Sequence, residues 1–199
     1  MPTSREVLSL ARWLQQNIQL VRWDSNEYEK LFGARSAKDV LTSKKTSYMA
    51  ACLDLTLAYT HLLREKGYDP TFVVEEHVSS RSKQPTLHFA AEIPLGKKIV
   101  TVDFTVGSHI IYYEGKYDPS KSSRGKRSLQ LHRFSTQKLG YDTSLNRFLK
   151  LKGTRTFYRR FPHVTPHAAK AIFETMGKMD SPQLFERIKK KSTTRRRIR

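Results

Sequence analysis

The N-terminal apolar positions Val7, Leu8, Ala11, Leu14, Ile18 and Val21 recur at helical spacing. Thr3-Ser4-Arg5-Glu6 stands before them in the order of a capping box, so a first helix is expected to about Leu20. Trp13 and Trp23 lie on or just beyond it and read as core or rim packing. Asn26 to Phe32 has the length of a short helix ended by Gly33, and Ser36-Ala37-Lys38-Asp39 can start another. The next helix is expected to be capped by Thr46 or Ser47 and to run to Lys66, with Gly67 stopping it. On it Leu55, Tyr59, Leu62 and Leu63 share a face, with Cys52 at the N-terminal end of the stripe.

Strand-like segments follow. Pro70 opens one over Thr71 to Val78, and the polar stretch Ser79 to Pro85 reads as a loop. Leu87 to Pro94 and Lys98 to Thr105 make two more, joined by a turn at Leu95-Gly96-Lys97, and His109 to Tyr113 a fourth. These predict an antiparallel meander packed on the cysteine helix. On the third strand Ile99, Thr101 and Asp103 face one way, Val100 and Val102 the other. An aspartate in such a strand is disfavoured unless it has a partner.

The pattern changes after residue 114. Gly115 to Ser128 is basic and loop-like, and Asp142 or Thr143 can cap a short amphipathic helix through Leu149. Thr154 to Phe161 interleaves arginines with aromatics. Thr165-Pro166 and Ser181-Pro182 each read as an N-cap followed by an N1 proline, giving helices over about 166–178 and 182–191. The expected organisation is a core over residues 1–114 and a basic loop over 115–128. A helical extension over 129–188, of the same or a small second domain, leads to a basic disordered tail over 189–199. The fold class is α+β, a cysteine-bearing helix on an antiparallel sheet with a helical basic C-terminal part.

Composition narrows the setting. The 199 residues suffice for a core without disulfides or metals, and the single cysteine excludes an intrachain disulfide. A reducing compartment is the simplest home, and no apolar run reaches membrane-spanning length, so a cytoplasmic protein without membrane contact is expected. Lys and Arg number 37 against 18 Asp and Glu, a formal charge of +19. Such a field attracts DNA or RNA without specifying a fold. Arg155, Arg159 and Arg160 in the aromatic run can meet phosphates, although a half-buried strand with a basic outer face explains them too. Lys189, Lys190, Lys191, Arg195, Arg196 and Arg197 in the tail read as sequence-blind polyanion contacts. His163 and His167 are four apart, but Pro166 lies between them and no acid or cysteine is near, so no metal site or cofactor is expected. His61, His77, His109 and His132 read as surface or packing residues.

The candidate chemistry is Cys52, His88 and Asp103, in that order, on a helix and two adjacent strands. They are the parts of an activated thiol. The thiol attacks, the imidazole takes and returns its proton, and the carboxylate orients the imidazole and stabilises its charged form. A helix start near Ala50 would place Cys52 where free N–H groups and the dipole favour thiolate; a start at Ser47 would place it too deep.

Three stretches carry a resemblance: CLDLTLAYTHLLREKG from Cys52, HFAAEI from His88 and VDFT from Val102. Over about residues 46–105 the chain resembles the transglutaminase-like superfamily of papain-type folds, with steps of thirty-six and fifteen residues between cysteine, histidine and aspartate. The resemblance implies a papain-type core, with Cys52 as nucleophile, His88 as acid and base, and Asp103 as orienter. The substrate implied is a peptide or amide, whose acyl group passes to water or to an amine. One oxyanion donor would be the Cys52 backbone N–H, with Trp23, Tyr48 and Gln16 as candidates for the second. The chain departs from the family pattern at Ala51, where a glycine is common, and at Ala90, where an aromatic is. The superfamily also includes DNA-damage recognition proteins that keep the fold and have lost the triad. A nucleic-acid-binding protein on this fold is therefore the alternative reading. Neither substrate nor oligomeric state is read from the sequence.

Overall fold

The structure, a computed structural model, describes residues 3–47, 50–79, 85–105, 109–122 and 126–147. Helix α1 (Ser4–Asn17) starts at Thr3, whose hydroxyl accepts the Glu6 N–H at 3.2 Å. Val7, Ala11 and Leu14 are its buried stripe. The helix stops at Asn17 rather than near Leu20, because residues 19–21 are used differently. They form β1 (Gln19–Val21), which pairs in parallel with β2 (Lys45–Ser47). Two short helices lie between, α2 (Ser25–Leu31) and α3 (Ala37–Ser43). A complete capping box of Ser36 and Asp39 opens α3. Gly33, at φ +69, turns the chain between them.

Helix α4 (Ala51–Glu65) is the centre of the molecule, and every residue from Ala51 to Thr60 is buried. Thr46 and Ser47 do not cap it, since strand β2 takes their backbone. Thr46 instead donates its hydroxyl to Asp54 Oδ2 at 2.7 Å. The C-terminus is a Schellman turn: Gly67 (φ +79) and Tyr68 return their N–H groups to Arg64 and Leu63. Burial all round means that α4 has two apolar faces rather than one stripe. Leu55, Tyr59 and Leu63 pack with α1 and with Val100, Val102 and Phe104, and the Tyr59 hydroxyl donates to the Val7 carbonyl at 2.9 Å. Cys52, Leu53 and Leu57 pack on the other side with Trp23, Phe72, Val74 and Phe89.

Beneath α4 lies one antiparallel sheet of β3 (Thr71–Ser79), β4 (Pro85–Leu95), β5 (Lys98–Thr105), β6 (His109–Glu114) and β7 (Lys126–Ser135), in the order β6-β5-β4-β3-β7. The expected four-strand meander is present, with Gly96 (φ +64) in the β4–β5 turn. The fifth strand, β7, and the short helix α5 (Pro119–Ser122) occupy residues expected to be a basic loop and the start of a helical extension. β7 pairs with β3 along its length and slips register at Glu76/His77. Farther on, residues 145–147 are helical and Ser144, not Asp142 or Thr143, caps them, its Oγ accepting the Arg147 N–H at 3.3 Å. The expected elements after that point lie outside the described residues. The molecule is thus mixed α and β with a five-stranded antiparallel sheet. Among the described residues no helix is long and apolar enough to cross a membrane.

Candidate active site

Strand alternation divides the sheet into two chemically different faces. Phe72, Val74, Phe89, Ala91, Ile93, Val100, Val102 and Phe104 point to the helices. The opposite face carries Glu75, His88, Glu92, Thr101 and Asp103, all buried. Buried polar groups on this scale need partners, and the partners define the site.

His88 and Asp103 meet through register. Ala90 is the residue opposite Asp103, so His88 lies on the same face at the diagonal position. The β4–β5 ladder ends at that Ala90–Asp103 pair although both strands continue, so His88 stands where the two strands have parted. His88 Nε2 and Asp103 Oδ1 are 2.6 Å apart, with Asp103 wholly inaccessible and His88 nearly so.

Cys52 reaches the same place from α4. It is the second residue of the helix, and the N-cap, Ala50, offers no side-chain cap. The start at Ala51 is the one that suits the chemistry: the Cys52 N–H has no intrahelical acceptor and sits at the positive end of the dipole. One turn later on the same helix face, the Thr56 hydroxyl donates to the Phe89 carbonyl at 3.4 Å, fixing α4 against the strand beside His88. The thiol is near enough to the imidazole to favour its protonated form, as a side-chain partner and through charge. With Nε2 given to Asp103, Nδ1 is the nitrogen left for Cys52.

The electrostatics follow from burial and company. Burial alone pushes the His88 imidazole down; the Asp103 charge and hydrogen bond, and then Cys52, outweigh it and raise His88 from its ordinary 6.5 to about 10. The site therefore favours the imidazolium across the neutral range. Such a ring can stand as an ion pair with a thiolate and deliver a proton to a leaving group.

The structure brings Cys52, His88 and Asp103 together and separates them from other candidates. Trp23 is buried in the apolar cluster that holds Cys52, with the Arg35 guanidinium 5.5 Å from its ring centre. Gln16 is exposed on α1, whose buried residues join the other cluster. Tyr48 lies outside the described residues, as do Arg155, Arg159, Arg160, His163, His167 and the tail from Lys189 to Arg197. Trp13 is exposed, His61 stacks on Tyr141 at 4.5 Å, and His77 is buried. A groove of about 750 Å³ between β1, α2 and α3 is lined by Val21, Trp23, Leu31, Arg35 and Lys45. None of the three chemical residues lines it; Trp23 links it to the Cys52 cluster. Among the described residues no group of His, Cys, Asp and Glu is arranged to hold a metal ion.

Two residues of the site escaped sequence reasoning. Glu75 is the direct cross-strand neighbour of His88, and Tyr117 covers both, its ring centre 6.3 Å from that of His88 and its hydroxyl 2.6 Å from Glu75 Oε2. The available signal was Glu75-Glu76 within the otherwise strand-like Thr71 to Val78, two acids where alternation leaves room for one outward position. No protein-family model, curated protein or solved structure matches the chain.

Proposed function

We propose that the chain is a thiol-dependent acyl-transfer enzyme built on a papain-type, transglutaminase-like core, acting on a peptide or amide. One observation carries this reading: a helix-start cysteine meets a buried histidine that is hydrogen-bonded to a buried aspartate, where β4 and β5 part. Cys52 thiolate attacks the carbonyl carbon, and the oxyanion that forms is met by the Cys52 backbone N–H. Collapse of that intermediate breaks the C–N bond as His88 gives its proton to the departing amine. Water, or a second amine, then loses a proton to His88 and attacks the thioester, which returns Cys52. Asp103 keeps its charge throughout and holds the ring with Nδ1 towards sulfur. Hydrolysis is the simpler outcome, because water requires no second binding site.

The test is alkylation of Cys52 across pH in the native protein and in His88→Ala. The native thiol is expected to react well below the pH of about 8.5 where an ordinary thiol ionises, and the variant only near it. A thiol inert until the protein unfolds would end the enzymatic reading. A nucleic-acid-binding protein on the same core would then be the better account, supported by the +19 charge.

A further inference from the structure

The polar face of the sheet holds more negative charge than the triad requires. Glu92 is matched: Arg133 of β7 grips it with Nε and Nη2 at 2.9 to 3.1 Å, and the Tyr117 N–H donates to it at 2.7 Å. Glu75 is not matched in this way. It is 1% exposed, its Oε2 accepts only the neutral Tyr117 hydroxyl, and its Oε1 has no hydrogen-bond partner among the described residues. A buried carboxylate held so sparingly is costly unless a positive group is near.

Two buried imidazoles share the face of Glu75: His77, two residues along β3, and His88, its direct partner across the strands. Glu75 and His88 are paired residues of β3 and β4 on the same side of the sheet, a placement that sets their Cβ atoms about 4.5 to 5.5 Å apart. His88 is thus surrounded by Asp103 from β5, Cys52 from α4, Glu75 from β3 and Tyr117 from the segment after β6. Its same-face neighbour along β4, Ala90, is apolar. We infer that Glu75 is a second positioning carboxylate of the thiol–imidazole pair, held by Tyr117 and acting on Cys52 through the charge of His88. The role rests on the acyl-transfer reading. There Asp103 fixes the ring through Nε2, while Glu75 adds negative potential from the neighbouring strand and favours the protonated ring in the resting enzyme.

His88 can be observed directly, by NMR titration of its ring in the full-length protein. Glu75→Gln keeps the shape and removes the charge; it is expected to lower the His88 midpoint by about one unit, a tenfold loss of proton affinity. Glu75→Asp is expected to restore most of the shift. Tyr117→Phe removes the hydroxyl that holds the Glu75 carboxylate beside the ring and is expected to lower the midpoint in the same direction. A folded Glu75→Gln variant with a wild-type His88 midpoint overturns the inference. Should that variant fail to fold, an unchanged midpoint in Tyr117→Phe overturns it instead. Cys52 alkylation that ignores His88→Ala would sink the acyl-transfer reading while leaving the coupling of Glu75 to His88, read on the ring itself, in place.

Discussion

Asp103 and His88 are stable where they are only as a pair. A carboxylate without solvent and an imidazole almost without it each carry a desolvation cost that the other offsets. Asp103→Asn removes the strongest of the groups that hold the His88 proton and leaves Cys52, with the Glu75 inferred above, against burial, which acts the other way. Alkylation of Cys52 near neutral pH is then expected to fall on the order of 10²-fold, the lower bound for loss of a positioned acid–base. The same pair gives the fold a pH dependence with a definite sign. His88 has a higher proton affinity folded than unfolded, so its contribution is fully present below about 6.5 and is lost as the pH rises through about 10. Urea unfolding across that window should show stability declining in the wild type and a flatter profile in His88→Ala. Cys52→Ala is different: it removes one small atom from a tight cluster, and a wild-type circular dichroism spectrum is expected. Wholesale unfolding would instead mark Cys52 as a core residue and nothing more.

Helix α4 places the thiol, and a buried ion pair holds its first turn. Asp54, two residues after Cys52 and without solvent contact, accepts Arg35 Nη1 at 2.5 Å and Thr46 at 2.7 Å, while Arg35 Nη2 donates to Ser43 and to the Asp39 and Lys45 backbone. This ties α3 and β2 to the start of α4. Arg35→Met leaves the carboxylate buried and unpaired, at an expected cost of about 3–5 kcal/mol by urea unfolding near neutral pH. Burial already pushes Asp54 up to about 6 against the pull of Arg35 and Thr46, so the variant's deficit should shrink at about pH 5, where the neutral acid folds. This layer was the hardest to read from sequence. The segments β3 to β6 and the α3 cap were legible because alternation, turn residues and capping chemistry are local signals, and they brought His88 and Asp103 to adjacent strands. The start of α4 was not, because Thr46 and Ser47 satisfy the rules for a cap and are recruited by β1, a partner more than twenty residues away. Strand β7 was hidden by Lys126, Arg127 and Arg133, and its place beside β3 is settled by pairing rather than composition. Glu75 could be seen as out of place in a strand, but the imidazole that explains it is revealed only by register.

At the scale of the whole molecule, the positive charge and the candidate chemistry occupy different parts of the chain. Fourteen of the 37 Lys and Arg and three of the 18 Asp and Glu fall in residues 151–199, which carry +11 and leave +8 on the first 150. A quarter of the length thus holds more than half of the charge, and Cys52, His88 and Asp103 lie outside it. The proposed acyl transfer and the alternative of polyanion binding therefore draw on different residues, and one set of substitutions distinguishes them. Replacing Lys189, Lys190, Lys191, Arg195, Arg196 and Arg197 with glutamine removes six positive charges and no residue of the described fold. If the tail binds duplex nucleic acid, the slope of log affinity against log salt should become shallower by about 0.9 for each phosphate that is no longer neutralised, with Cys52 alkylation unchanged. An unchanged slope would move the binding to the basic surface of residues 1–150 or to Arg155, Arg159 and Arg160. A change in Cys52 alkylation would show that charge in the tail reaches the thiol, and the two properties could no longer be argued apart.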